Sequence, residues 1–240
     1  MPSAPPDLAT GYWGCAAVTI EAVVALKTLT QSKRRLSAVL SDEQRCDLVE
    51  AMAQDVLSSL MAHPEIDTVH AVCGEGWTRS DFAEGALVMW EEGENRVGGL
   101  IAAYEMVAAK TAAERLLFIH ADLPFLGQED ISAVIAASDD HHAVLSPDST
   151  ETGTNAVLRW RHQSLPLCFG EDSFARHQQA ARANGTPWRV ARAQGVARDV
   201  DEPADLNRLN ANDPDLGEAS ARWSAAADIR ASMNATHRGR

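Results

Sequence analysis

The sequence predicts an α/β domain in which a mostly parallel mixed sheet is covered by helices on both faces. Two observations predict this fold class: short apolar, partly β-branched segments alternate with helical segments, and 45% of the residues are hydrophobic. Strands that alternate with helices favour a parallel sheet, because each helix returns the chain to the edge where the next strand starts. With 240 residues, the chain is long enough to bury the core of one such domain.

The elements follow from local patterns along the chain. The first predicted strand is the apolar run 18–26, and a basic loop follows it. Ser41 then begins the first helix, because Ser41 and Gln44 have the spacing of a capping box, and Pro64 marks the exit of that helix. The later predicted strands are 68–73, 87–90, 116–120, 143–145, 154–160 and 187–193, and the later predicted helices are 100–113, 128–137, 174–183 and 203–209.

These elements divide the chain into three parts. Residues 1–17 are interpreted as an irregular N-terminal extension, residues 18–209 as the α/β domain, and residues 210–240 as a polar tail or loose helix. The net charge of −13 disfavours nonspecific binding to nucleic acids and membranes, which need basic surfaces. No apolar run approaches the roughly 20 residues that cross a bilayer. The four cysteines are scattered, so we expect reduced thiols in a cytoplasmic protein.

Asp122 is the first candidate for chemistry. It follows the strong central strand 116–120 and precedes Pro124. Ligands of parallel sheets bind beyond the carboxyl ends of the strands, and a carboxylate in that place suits Mg²⁺. The metal would neutralise phosphate charge and orient an α-phosphate for attack. The alternative is that Asp122 only caps the turn before Pro124.

Asp199 and Asp201 form a second acidic pair. They alternate on an extended segment, so both side chains point to one face. Two neighbouring carboxylates repel each other, and a cation between them would relieve the repulsion. The alternative is a solvated acidic loop in which Asp201 is the N-cap of the next helix.

The basic loop after the first strand supplies Lys27, Lys33 and Arg35. Cations there could hold a triphosphate and stabilise the charge on departing pyrophosphate. The alternative is an ordinary solvated basic loop. The chain contains neither Gly-x-Gly-x-x-Gly nor Gly-x-x-x-x-Gly-Lys-Ser/Thr, so dinucleotide binding and P-loop ATPase activity are unsupported.

Thr154, Asn155, Gly170 and Ser173 are the candidates for binding a substrate acid. A hydroxyl and an amide can bind phosphate or carboxylate oxygens without adding charge, and Gly170 and Ser173 lie just before a helix whose free N–H groups favour an anion. The alternative is a turn followed by a helix cap. We expect His177 to be a packed, hydrogen-bonded helix residue.

Taken in order, these motifs resemble the CofC/FbiD family of guanylyltransferases over residues 20–209. The motifs that carry the resemblance are Lys27, Lys33-Arg34-Arg35-Leu36, Ala121-Asp122-Leu123-Pro124, Gly153-Thr154-Asn155, Phe169-Gly170 with Ser173, Phe174 and His177, and Asp199-Val200-Asp201. The resemblance implies a Rossmann-like, GT-A-like nucleotidyltransferase domain. It also implies transfer of GMP from GTP to 2-phospho-L-lactate, phosphoenolpyruvate or 3-phospho-D-glycerate, with release of pyrophosphate, in the biosynthesis of coenzyme F-420.

The resemblance also implies a role for each candidate residue. Asp122, Asp199 and Asp201 would bind two Mg²⁺ ions. Thr154, Gly170 and Ser173 would hold the acceptor acid. Lys27, Lys33 and Arg35 would face the GTP phosphates.

The resemblance further implies a homodimer, and it leaves open a hand-over of a labile product to the next transferase of the pathway. Where the family has Gly-Leu-Asn, this chain has Gly98-Gly99-Leu100, so the choice of nucleotide is open. Two other functions compete with this one. The first is a related nucleotidyltransferase with another nucleotide or acceptor, and the second is a non-catalytic nucleotide-binding relative.

Overall fold

Residues 18–78, 85–90, 99–139 and 141–227 are described by the structure, which is a computed structural model. The strands are β1 (Ile20–Leu26), β2 (Thr68–Cys73), β3 (Leu87–Trp90), β4 (Arg115–Ile119), β5 (Ala143–Pro147), β6 (Thr154–Trp160) and β7 (Trp188–Val190). The helices are α1 (Asp42–Met61), α2 (Gly99–Lys110), α3 (Gln128–Ala137) and α4 (Ser173–Ala183), with short 3-10 helices at Leu29–Gln31, Arg34–Ala38 and Asp205–Arg208. The predicted extension 1–17, Gly98 and the end of the tail after residue 227 lie outside the described residues.

The strands form one seven-stranded sheet in the order β3-β2-β1-β4-β6-β5-β7. Strand β6 runs antiparallel to its neighbours β4 and β5, and the other pairings are parallel. The predicted mostly parallel mixed sheet is thereby confirmed. Because β6 is reversed, its first residues lie at the same edge of the sheet as the last residues of β1 and β4.

The central strand β1 shows why helices cover both faces. Its apolar residues alternate between two cores. Ala22 and Val24 pack in the core that contains α1 and α3, whereas Val23 and Ala25 pack in the core that contains residues of α2 and α4. A strand that is apolar on both faces needs a covering layer on each, and helices α1 to α4 contribute to these layers.

Several predicted elements change in detail. The capping box of α1 is confirmed, because Ser41 Oγ accepts from the N–H of Gln44 and the Gln44 side chain accepts from the N–H of Ser41. Strand β7 is shorter than predicted, because it is an edge strand that pairs only over three residues of β5. The helix predicted at 203–209 is a 3-10 turn. The carboxylate of Asp205, not that of Asp201, accepts the backbone N–H groups of Asp201 and Glu202.

The segment after residue 209 packs on α1. Residues 218–227 are helical, and the carboxylate of Asp55 in α1 accepts the N–H groups of Ala219 and Ser220 at 2.8 Å each. Burial raises the pKa of Asp55, against these hydrogen bonds. A Cβ atom at Gly217 would lie 2.2 Å from Asp55 Cγ, so this close approach requires glycine. The interpretation of 210–240 as a tail or loose helix did not include this contact.

We expect Asp55→Ala to lower the free energy of unfolding by about 2 kcal/mol, because it removes a helix cap and leaves two N–H groups unpaired. For a chain of this size, the melting temperature should fall by about 5 °C. Thermal unfolding measures this, with Glu65→Ala as the control because Glu65 is exposed. Equal melting temperatures for the two variants would contradict the capping role.

Within the described ranges, no helix combines the length and apolar character needed to cross a bilayer.

Candidate active site

A cavity of about 760 Å³ opens at the edge of the sheet where β1 and β4 end and β6 begins. The structure brings all ten predicted site residues to its wall. They are Lys27, Lys33, Arg35, Asp122, Thr154, Asn155, Gly170, Ser173, Asp199 and Asp201. The sheet topology explains part of this convergence, because the basic loop follows β1, Asp122 follows β4 and Thr154 begins β6, and these three strands are adjacent.

The loop after β1 is fixed by the loop after β2. The N–H of Gly74 donates to Leu26 O at 2.7 Å, and Trp77 Nε1 donates to Lys27 O at 2.9 Å. A Cβ atom at Gly74 would lie 2.7 Å from the backbone nitrogen of Thr28, so the two loops approach too closely for any other residue. These contacts hold the backbone of Lys27 at the cavity.

Lys33 lies between two of the predicted metal ligands. Its Nζ donates to Asp122 Oδ2 and, at 2.6 Å, to Asp201 Oδ1. The Lys33 side chain is only 8% exposed, and its backbone has a left-handed φ of 52°. Burial lowers the pKa of Lys33, but the charges and hydrogen bonds of the two carboxylates outweigh burial and raise it. Arg35 is exposed, and its Nη1 lies 3.5 Å from Asp201 Oδ2.

The environments of Asp122 and Asp199 shift the pKa values of their carboxyl groups in opposite directions. Burial would raise the pKa of Asp122, but the neighbouring Lys33 ammonium dominates and the pKa falls to about 2. Burial and then the charge of Asp122 raise the pKa of Asp199 to about 6. Asn155 Nδ2 donates to Asp199 Oδ1 at 3.2 Å and to Val196 O at 2.9 Å. Asn155 therefore places Asp199, in addition to the substrate contact predicted for it.

The carboxylates of Asp122 and Asp201 have features that suit a divalent cation. In the part of the chain that the structure describes, no three His, Cys, Asp or Glu side chains are close enough to hold a metal ion. Asp122 Oδ1, however, is buried and has no hydrogen-bond partner among the described residues. The ammonium group of the Lys33 side chain lies between Asp122 and Asp201. An unpaired carboxylate oxygen and a carboxylate pair that holds a cation suit Mg²⁺.

The part of the cavity at the start of β6 and α4 carries neutral hydroxyl groups. Thr154 and Ser173 are each 1% exposed, and Ser173 Oγ accepts the N–H of Thr154 at 2.8 Å. His177 in α4 is fully buried and contacts both residues. Burial lowers the pKa of His177 to about 4, so the ring is neutral near pH 7. The two hydroxyl groups can therefore bind an anion without adding a charge.

His120, Trp77 and Asp148 are among the cavity-lining residues that the sequence pattern does not assign to the site. His120 follows β4, and its ring lies 5.0 Å from that of Phe169. Trp77 lines the cavity beside Lys27, to whose carbonyl oxygen its indole N–H donates. Asp148 accepts the N–H groups of Thr152 and Gly153 and so shapes the loop before β6. Only the position of His120, two residues before Asp122, could have indicated a place in the site.

The chain is similar to known proteins over most of its length. The sequence model of a family described as "Guanylyl transferase CofC like" matches residues 20–214, a range that contains all ten predicted site residues. The phosphoenolpyruvate guanylyltransferase of Sphaerobacter thermophilus is 35% identical over 82% of this chain and 95% of its own length. The 3-phospho-D-glycerate guanylyltransferase of Phenylobacterium zucineum is 34% identical over 77% of this chain and 87% of its own.

A more distant relative and a solved structure extend the comparison. The 2-phospho-L-lactate guanylyltransferase of Methanothermobacter thermautotrophicus is 28% identical over 78% of this chain and 82% of its own length. A crystal structure from Desulfovibrio desulfuricans G20, assigned as a nucleotide-diphospho-sugar transferase, superposes with a TM-score of 0.66 at 15% identity. It covers 88% of this chain and 96% of that chain. At this identity the superposition shows a shared fold alone.

Proposed function

The chain belongs to the family of CofC-like guanylyl transferases, and we propose that it transfers GMP from GTP to the phosphate of a small phospho-acid. One observation carries this proposal. A single cavity joins the basic loop, the three aspartates and the neutral hydroxyl pair. The three relatives are named for phosphoenolpyruvate, 3-phospho-D-glycerate and 2-phospho-L-lactate, and we propose one of these acids as the acceptor. The product would then serve the biosynthesis of coenzyme F-420.

In the proposed reaction, an oxygen of the acceptor phosphate attacks the α-phosphorus of GTP. A new P–O–P bond forms there, while the bond from the α-phosphorus to the bridging oxygen of the β-phosphate breaks and pyrophosphate leaves. The acceptor phosphate is already an anion, so no side chain has to act as a nucleophile or a strong base. Positioning and charge neutralisation would supply most of the rate.

The residues divide this work along the cavity. Lys27, Lys33 and Arg35 would stabilise the negative charge of the triphosphate and of departing pyrophosphate. Asp122, Asp199 and Asp201 would hold Mg²⁺, which when bound neutralises phosphate charge. The unpaired Asp122 Oδ1 and the cation between Asp122 and Asp201 support this assignment.

The acceptor acid would bind at the opposite end of the cavity, against Thr154, Gly170 and Ser173. The two hydroxyl groups support this assignment, because neutral donors bind an anion without competing for the metal. Glu171 and Asp172 also line the cavity, and both are exposed. Their charges are therefore screened by solvent.

The experiment is a pyrophosphate-release assay with Mg²⁺ in which GTP, ATP, CTP and UTP are each tested with the three acids. Release with GTP and one acid would support the proposal and identify the acceptor. Release with another nucleotide would instead favour a related nucleotidyltransferase. The replacement of the family's Gly-Leu-Asn by Gly98-Gly99-Leu100 would then bear on the choice of nucleotide. No release from folded, metal-loaded protein would contradict the proposal and favour a non-catalytic relative.

We expect Ser173→Ala to raise the KM for the acceptor by about tenfold, because it removes one hydrogen bond to an anionic group. The KM for GTP should change by less than about twofold, since the basic loop follows β1, which β4 separates from β6. Steady-state kinetics with each substrate varied in turn measure the difference. An effect confined to GTP would mean that the two ends of the cavity are assigned the wrong way round.

A further inference from the structure

The acceptor end contains a buried hydrogen-bond chain whose direction can be worked out. Its members are Cys168, His177, Ser173 and Thr154. The N–H of Cys168 donates to His177 Nε2 at 2.8 Å. His177 Nδ1 lies 2.8 Å from the carbonyl oxygen of Ser173 and 3.1 Å from Thr154 Oγ1.

The two backbone groups decide where the imidazole proton lies. A backbone N–H can only donate, so His177 Nε2 must accept from Cys168 and carries no hydrogen. A carbonyl oxygen can only accept, so Nδ1 must carry the hydrogen that it gives to Ser173 O. Both contacts select the same form of the ring, which is the neutral Nδ1–H tautomer.

This tautomer sets the direction of the two hydroxyl groups. Since Nδ1 carries a hydrogen, Thr154 Oγ1 cannot donate to it and can only accept from it. Ser173 Oγ already accepts the N–H of Thr154. Within the described ranges, neither hydroxyl hydrogen is donated to another protein group, and both residues line the cavity.

We propose that His177 is a positioning residue that keeps both hydroxyl hydrogens available to one anionic oxygen group of the substrate in the cavity. The identity of that group, the carboxylate or phosphate of the acceptor acid, rests on the proposed function. An anionic oxygen group could accept both hydroxyl hydrogens, whereas a ligand N–H or O–H could use only the one lone pair that each hydroxyl oxygen has left. His177 thus contributes to the choice of an acid as the acceptor, although it need not touch the substrate.

The first test measures the tautomer directly and needs no turnover. Long-range ¹H–¹⁵N spectra of the full chain, labelled with ¹⁵N-histidine, distinguish a protonated from an unprotonated ring nitrogen. The spectrum of His177→Gln assigns the signal. We expect an Nδ1–H ring at pH 7, whereas an Nε2–H or doubly protonated ring would overturn the inference.

The second test separates positioning from packing by two substitutions. His177→Asn keeps an amide near the Nδ1 position, and His177→Gln keeps one near Nε2. We expect the acceptor KM to rise about tenfold in the Gln variant and about twofold in the Asn variant, with the GTP KM nearly unchanged in both. Thermal unfolding checks that both variants are folded.

Equal changes in both KM values, or a larger change for Asn than for Gln, would overturn the inference. If the wild-type protein releases no pyrophosphate with any acceptor, the proposed function fails. The tautomer measurement would then still decide the direction of the hydrogen-bond chain.

Discussion

Asp122→Asn is expected to lower turnover by about 10³-fold while the protein stays folded. The substitution keeps the size of the side chain but removes the negative charge that pairs with Lys33 and would hold Mg²⁺. The side chain of Asp122 is 24% exposed at the wall of the cavity, so no core packing is lost. Pyrophosphate release measures turnover, and thermal unfolding in the absence of substrates checks the fold.

Asp172→Asn is the matched control for this prediction. Asp172 lines the same cavity and makes no side-chain cap hydrogen bond at the start of α4. Its backbone has a left-handed φ of 50°, which asparagine tolerates. The control should therefore keep turnover within about twofold of the wild type. A folded Asp122→Asn protein with wild-type turnover would exclude the metal role of Asp122, whatever the control shows.

The sequence could predict the site because its motifs follow strand ends. Asp122 comes after β4, Lys27 after β1 and Thr154 begins β6, and the sheet places those three points side by side. The capping box of Ser41 could also be predicted, because its partners lie three residues apart. Such features depend on local spacing, which a single sequence displays directly.

The contacts between distant segments could not be predicted. Lys33 pairs with Asp122 and Asp201, which lie 89 and 168 positions further along the chain. No periodic pattern in the sequence predicts such a pair. The same applies to the contact of Asp55 with the N–H group of Ala219. These contacts depend on how packed elements meet, so the order of the motifs predicts a metal site without predicting the lysine inside it.

The second prediction with a large expected effect concerns Lys33→Met. Without metal, the variant should be about 2 kcal/mol less stable than the wild type, because Asp122 and Asp201 lose their shared counterion. Partial exposure of both carboxylates keeps this cost below that of a fully buried pair. Turnover should fall by about 10²-fold, since a cation that would face the triphosphate is removed.

Added Mg²⁺ should reverse the loss of stability in this variant. In the wild type, the metal must displace the Lys33 ammonium from Asp122 and Asp201, whereas in Lys33→Met it meets carboxylates with no competing cation. Tighter binding to the folded state raises the melting temperature further. We therefore expect the rise in melting temperature with Mg²⁺ to be larger in the variant than in the wild type.

Lys27→Met distinguishes this effect from a general loss of positive charge. Lys27 lines the same cavity on the same loop, but it is exposed and is not the cation between the two carboxylates. Its removal should leave the metal-induced rise in melting temperature close to that of the wild type while lowering turnover. If both lysine variants respond to Mg²⁺ like the wild type, the ion does not bind where Lys33 now lies, and Asp122 and Asp201 would need another role. A larger rise confined to Lys33→Met would mean that the lysine and the metal compete for the same two carboxylates.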